Sequence, residues 1–536
     1  MRSLRSPAAV KMLLAPLVIR CVDGAIAGHR GGGWRAAMGL LGAITGSLVL
    51  AGGVAAVPGP TLEHLEQLDQ FDRRVDLQAR AIALGQPEAL GAGDRLKGWD
   101  RGPVKLSVVQ GIGVKGEMAA KGTGAKEEDT GEARYFFNRA LERLALGNYA
   151  AAIADFSMAI ERNGDGDSIE LAIAYYNRGN AHWSLQEAEA AQADYSRAIE
   201  LDENFASAYI NRGVARRALG NLEGAIADYG RALALTPEDP DIFYNRGNVH
   251  RQRENWGLAL ADYDQTIALS PTYANAYVNR AAVHRQQGAF DRAIADCTEA
   301  LKLDPNSVEA YYNRGLARYD QGDRPGAIAD LSEVIRRYPN STNAHLKRGL
   351  ARHVTGDLRG AIVDYTAAIG LDESFAEAWN MRGLAQAQFG NPSEARQDYD
   401  RAIAAQPDYA NAYVNRGLLR HRQGDLEGAI ADYSRAVALT PNDPIPYHTR
   451  GLARQAANDL PGAIADYTIA LERNPDYASA YINRALARSA QGDSPGAAAD
   501  LSAAEAIYRR TNDASGLDRI RQLRQSLAIA PAAPRT

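Results

Sequence analysis

Beyond residue 132 apolar and small side chains recur in two stripes of helical spacing within every 34 residues. Tyr209, Arg212, Gly213 and Arg216 lie at helical spacing; Gly220-Asn221 then breaks the helix, and Ala225, Ile226, Tyr229, Ala232 and Leu233 begin a second stripe that Pro237 closes. This pattern predicts two antiparallel helices of about a dozen residues joined by a tight glycine turn. No stretch in this region alternates at period two, so strands are not expected. Asn177-Arg178-Gly179 recurs as Asn211-Arg212-Gly213, Asn245-Arg246-Gly247, Asn279-Arg280-Ala281 and Asn313-Arg314-Gly315, and the frame continues to Asn483-Arg484-Ala485. An earlier copy, Asn138-Arg139-Ala140, stands 39 residues before the second because five residues are inserted around Asn163–Asp167, which makes eleven copies.

With small residues at the eighth and twentieth places, an aromatic at the twenty-fourth and proline at the thirty-second, each 34-residue unit resembles the tetratricopeptide repeat. The resemblance implies an all-α protein, an α-solenoid superhelix of about eleven tetratricopeptide helix pairs. One pair cannot bury its own apolar face, whereas stacked pairs bury a continuous core. After the last copy Leu517, Ile520, Leu523 and Leu527 form an amphipathic stripe with Arg519, Arg521 and Arg524 between them, read as a C-terminal cap helix. Four regions follow: a leader at 1–57, a short amphipathic helix plus linker at 58–131, the repeats at 132–511, and the cap and tail at 512–536.

Two charged places recur in every copy. The arginine at the seventh place is followed sixteen residues later by an aspartate: Arg178 by Asp194, Arg212 by Asp228, Arg246 by Asp262. In an antiparallel pair that turns near the fourteenth and fifteenth places, facing positions sum to about 29, so places seven and twenty-three should meet as structural ion pairs. The sixth place is asparagine in eight copies, although asparagine is a mediocre helix former in mid-helix. The family resemblance implies that first helices line a concave groove, where in some members a ladder of asparagines holds an extended peptide by its backbone. A carboxamide offers one acceptor and two donors, which suits that task. Asn177, Asn211, Asn245, Asn279 and Asn313 are therefore the candidate peptide-binding rungs, against the reading that each asparagine bonds within the array. The ladder is interrupted at Lys347, Met381 and Thr449. Between the rungs the fifth place holds Tyr176, Ile210, Tyr244, Val278 and Tyr312, an amphipathic wall suited to protein ligands. The family's chaperone-binding carboxylate clamp needs lysines at the second and fifth places and arginine at the sixth; no copy has them, so that mode is excluded.

Composition narrows the partners. Over 536 residues the net charge is −5, and no run of Lys and Arg is interleaved with aromatics, which argues against nucleic acid. Cys21 and Cys297 are the only cysteines, too few for a disulfide framework or a cysteine zinc site. Cys297 takes the twenty-fourth place and is expected to be a buried, inert thiol. At the N-terminus Arg2, Arg5, Lys11, Arg20, Arg30 and Arg35 oppose only Asp23, and Ala36 to Val57 runs for 22 residues without a charge. Basic residues, an apolar run and then acids read as an N-in signal or membrane anchor, which would place the array outside the cytoplasm, in a periplasm or thylakoid lumen. Leu62, Leu65, Leu68, Phe71 and Val75 predict one amphipathic helix before the linker.

Catalytic signals are weak. Gly111-Ile-Gly113-Val-Lys-Gly116 matches a dinucleotide fingerprint as a string, but the helical array starts too soon after it for a βαβ unit. Asn163, Asp165 and Asp167 imitate the start of a calcium loop whose sixth and twelfth residues, Ser168 and Ala174, are wrong for calcium. The nine histidines form no metal-binding motif; His250 and His284 share one repeat place and read as packing or surface residues. The expected function is a non-enzymatic scaffold that binds protein or extended peptide partners, with no cofactor and no metal. The alternatives are a structural or assembly subunit of a membrane-associated complex working through its convex face, or the regulatory array of an enzyme.

Overall fold

The computed structural model describes residues 127–163 and 168–527. The apolar run at 36–57, the amphipathic stretch at 62–75, the Gly111 string, Cys21, Asp165 and Asp167 all lie outside the described residues. Within them are 23 helices paired as antiparallel hairpins, eleven pairs and one more helix. None is long and apolar enough to cross a membrane.

Local chemistry fixes each hairpin. In the third copy the first helix spans Ala206–Ala218 and the second Leu222–Leu235. Gly220 turns the chain at φ +80°, the left-handed region that glycine enters at least cost. Asn221 then caps the second helix, its side chain accepting from the Gly224 N–H. Aspartate caps the second helix in the same way at Asp323, Asp357, Asp425, Asp459 and Asp493. Asp239 and Asp443 cap first helices whose opening residue is proline, which has no N–H to leave unsatisfied.

The core is a seam of small and aromatic side chains. Ala225, Tyr229 and Ala232 of the second helix are fully buried, as are their equivalents in most copies. The first helix approaches closely because its eighth place is glycine: a Cβ on Gly213 would stand 2.7 Å from the Tyr229 ring. Alanine takes the eighth place in three of the four copies whose twenty-fourth place is not tyrosine, Ala140 with Phe156, Ala281 with Cys297 and Ala485 with Leu501, while Gly315 stands with Leu331. The third and tenth places, Ala208 and Ala215 in this copy, are buried against the preceding hairpin. In the first described copy the third place is Tyr135, which is 59% exposed.

The last helix, Ala514–Ser526, closes the C-terminal end. Ile520 is buried with Leu501, Ala504 and Tyr508 of the eleventh copy, and Leu517 and Leu523 pack beside it. Arg524 reaches Ser502 at 3.0 Å and Glu505 at 2.9 Å. A capping helix therefore meets the last hairpin with both its apolar stripe and one of its arginines.

Candidate functional site

The arginine of every copy lies against its aspartate. Arg178 meets Asp194 at 2.7 Å, Arg212 meets Asp228 at 2.7 Å and Arg246 meets Asp262 at 2.6 Å, each with a second bond from Nε to the other carboxylate oxygen. All these aspartates are buried while the arginines are half-buried. A bidentate fork compensates a desolvated carboxylate better than a point charge does. The arginine also lies over the aromatic at the fourth place, Tyr209 for Arg212 at 5.5 Å and Phe243 for Arg246 at 5.6 Å.

Two partners of this ladder were not legible as such. A second cation, at the eleventh place, reaches the same aspartate: Arg216 to Asp228 at 2.9 Å, Arg352 to Asp364 at 2.9 Å, Arg454 to Asp466 at 2.9 Å. The seventh-place arginine also crosses to the twenty-fifth place of the preceding copy, as Arg212 to Ser196 at 3.3 Å, Arg348 to Ser332 at 3.0 Å and Arg416 to Asp400 at 2.6 Å. Gly230 offers no such partner to Arg246. The signal was present as a hydroxyl or aspartate recurring at one place, but its partner lies in the next copy.

Histidine replaces the eleventh-place arginine in three copies, at His182, His250 and His284, the last two in adjacent copies. His250 and His284 are buried, 3.9 and 3.8 Å from Asp262 and Asp296, and burial lowers their pKa although those aspartates oppose it. A base whose folded pKa lies below its unfolded value takes up its proton first in the unfolded state as pH falls. Stability should therefore decline as pH drops through about 6.5, the ordinary histidine value. Replacing His250 and His284 by glutamine should flatten the urea-midpoint profile between pH 7.5 and 5.5; an unchanged profile would show that other groups set the dependence.

The proposed rungs are not equivalent. Asn211 donates from Nδ2 to Tyr176 Oη at 3.1 Å and to Asn180 Oδ1 at 2.9 Å, and Tyr195 Oη donates to the same Asn180 oxygen at 2.9 Å. The arrangement returns two copies later: Asn279 donates to Tyr244 Oη at 2.9 Å and Asn248 Oδ1 at 2.8 Å, with Tyr263 on Asn248 at 2.8 Å. Asn415 on Asn380 and Asn483 on His448, both 2.9 Å, join the same two places. The fifth place of one copy thus holds the sixth place of the next, but only where the fifth is polar. Odd-numbered copies carry Ile210, Val278, Leu346, Val414 and Ile482 there. Asn177 turns back on its own helix, donating to the Ile173 carbonyl at 3.0 Å. Asn245, opposite Ile210, is 1% exposed and its Nδ2 has no partner. Asn313 and Tyr312 are half-buried. Tyr176 and Tyr244 are buried, against Phe205 and Tyr273 respectively, so the wall expected at the fifth place is partly interior.

Contacts between first helices identify the face they share. Rows five and six meet as above; rows twelve and thirteen meet where Arg285 reaches Asp320 at 2.8 Å and His353 lies 2.9 Å from Gln388. At the N-terminal end this face bounds a cavity of about 390 Å³ lined by Arg134, Phe137, Asn138, Leu141, Glu170 and Ile173 among others. Cys297 is buried and its thiol is pushed up to about 12 by desolvation, which makes it unreactive. Among the described residues no group of three or more His, Cys, Asp or Glu is placed to hold a metal ion.

Family models of the tetratricopeptide repeat match residues 172–205, 213–252, 247–288 and 282–322, and then 312–374, 354–409, 380–444 and 448–512. No curated protein matches the chain. Among solved structures it is similar to YrrB, a TPR protein with an unusual peptide-binding site, at 24% identity, covering 34% of this chain and 95% of that one with a TM-score of 0.31. MamA is 27% identical over 31% of this chain and 92% of its own, TM-score 0.29. Yeast Tom70 is 13% identical over 74% of this chain and 96% of its own, TM-score 0.41.

Proposed function

The chain belongs to the tetratricopeptide repeat family, and from that premise we propose that it is a binding scaffold whose ligand is an extended segment of a protein partner. The segment lies along the face built by the first helices, and the array itself performs no catalysis. The observation that carries this reading is the pair of buried amide donors left without an acceptor on that face: Nδ2 of Asn180 and Asn245. A buried N–H without a partner costs about 1–3 kcal/mol, and a peptide carbonyl delivered to the face would remove that cost. Asn245 and Asn313 are the rungs free of array duties, since among the described residues neither makes a side-chain hydrogen bond. Asn211 and Asn279 have their amides engaged between copies. We also propose, from the basic residues and the apolar run before residue 58, that the array works outside the cytoplasm.

The test begins by selecting binders to the full chain from a random peptide display library. Asn245→Ala with Asn313→Ala should weaken the selected peptides about tenfold, from about 1 kcal/mol for each net hydrogen bond, with the thermal transition unchanged. Asn211→Ala should behave in the opposite sense: it removes two donated bonds across a seam and should destabilise the array by about 1–2 kcal/mol. Undiminished binding by the double variant would remove the asparagines from the site.

A further inference from the structure

Two first helices break the repeat frame at their front ends. Glu127–Ala145 has 19 residues and Ser168–Ser184 has 17, whereas the first helices of copies three to eleven have 13 or 14. Most of the insertion before the second copy has therefore become helix: residues 168–171 add one turn, about 6 Å, ahead of the first place. Glu170 and Leu171 of that turn line the cavity of about 390 Å³, together with Ile173 on the same helix and Phe137 and Leu141 of the first copy. The four apolar walls are half-buried, so solvent reaches them. Phe137 is held in place edge-on against Phe156, with ring centroids 5.7 Å apart. Arg134 and Asn138, both exposed, border the cavity from one helix and Glu170 from the other. Among the described residues none of these three side chains has a hydrogen-bond or ion-pair partner.

Resting on the groove reading above, we infer that this cavity anchors the bound segment by two bulky apolar side chains one residue apart, flanked by a base and an acid. A sphere of the cavity's volume is about 9 Å across, narrower than the about 10–12 Å of a helix with its side chains, so the occupant is an extended chain. In such a chain residues i and i+2 point the same way and stand about 6.6 Å apart, and both side chains enter together. Burying them against Phe137, Leu141, Leu171 and Ile173 takes apolar surface of both partners out of water. Arg134 and Glu170 present opposite charges from opposite helices, so a segment with one acid and one base finds a partner for each, while a segment of uniform charge is repelled at one side. The Asn138 carboxamide can take a backbone N–H or C=O whatever the side chains are. A groove that repeats in every copy would let an extended segment slip by one copy. The added turn is absent from copies three to eleven, so an anchor here fixes the register of the whole segment.

The labelled peptide Lys-Ser-Leu-Ser-Phe-Ser-Glu, titrated against the full chain, tests this beside two relatives, one with Leu and Phe changed to Ala and one with Lys and Glu changed to Gln. The Ala peptide should bind at least about tenfold more weakly and the Gln peptide about two- to fivefold more weakly, because exposed ion pairs contribute less than buried apolar side chains. Ile173→Trp should fill the cavity and abolish the preference for Leu and Phe without moving the thermal transition. Ile173→Asp should do the same by making that wall polar, and it guards against an indole that turns outward; aspartate already stands at this place in the fourth copy, as Asp241. Arg134→Gln with Glu170→Gln should bring the charged and Gln peptides level. Equal binding of the Leu–Phe and Ala peptides, or a preference that survives both Ile173 changes, would overturn the anchor. Library-selected peptides judge the groove separately. If they respond to the Asn245 and Asn313 changes but not to Ile173→Trp, the groove stands and the anchor falls; if they respond to neither, both fall. Self-association of the full chain that Ile173→Trp abolishes would assign the cavity to a second copy and overturn the inference.

Discussion

Arg246→Leu is expected to destabilise the array by about 3 kcal/mol, because it leaves the Asp262 carboxylate buried with no arginine. Asp262 is 4% exposed, and its eleventh-place neighbour is His250, 3.9 Å away, in place of the second arginine that most copies supply. Arg348→Leu makes the comparison. Asp364 would keep Arg352 at 2.9 Å, so the loss there should be nearer 1 kcal/mol. Arg246→Leu together with Asp262→Leu should recover most of the first loss, since replacing both members of a buried pair avoids the stranded charge. Urea unfolding of the full chain, with hydrogen exchange read in copies three to five, measures all three. A double variant as unstable as the single one would show that the two residues are not coupled. Equal losses at Arg246 and Arg348 would show that the eleventh-place cation contributes nothing.

Gly451→Ala should cost about 1–3 kcal/mol even though alanine is the better helix former by about 1 kcal/mol. The added Cβ would stand 2.6 Å from the Tyr467 ring, and that ring cannot tilt away freely because its hydroxyl donates to Gln455 at 2.8 Å. Overpacking against an anchored aromatic outweighs propensity. The natural Ala485 and Leu501 pair shows the accommodation, so Gly451→Ala with Tyr467→Leu should lose less than the sum of the two single changes. Additive losses would mean that the eighth and twenty-fourth places do not constrain each other. A stabilised Gly451→Ala would show that the contact is soft.

Both of these predictions rest on contacts inside a single hairpin. The clash between the eighth and twenty-fourth places, and the approach of Arg246 to Asp262, both lie within one hairpin. There the turn fixes which residues face each other, so counting places from the turn pairs Arg246 with Asp262, while the contact of the eighth place with the twenty-fourth is read from the structure. The candidate binding face is another matter. Five asparagines in one frame suggested five equal rungs, yet Asn211 and Asn279 are committed to Tyr176 and Tyr244 of the copy before, 35 residues away. Asn245 escapes that commitment only because Ile210 stands opposite it.

What the sequence determined by itself is everything set by periodicity and local chemistry: two helices per unit, eleven units, a left-handed turn that is glycine in every unit except those of Gln186, Glu254 and Asn458, a cap after the last unit and the intra-hairpin ion pair. Those follow from the helical repeat and from the left-handed turn, which act over a few residues. What only the tertiary structure decided is how one hairpin is rotated against the next. That rotation is set by how side chains interlock between hairpins, and it alone brings the fifth place to the sixth, the twelfth to the thirteenth, and the seventh-place arginine to the twenty-fifth place of its neighbour. No local rule encodes it, because a 34-residue period repeats the same face in every copy whatever the angle between copies, while the angle decides which of those faces is buried and which is left to a ligand.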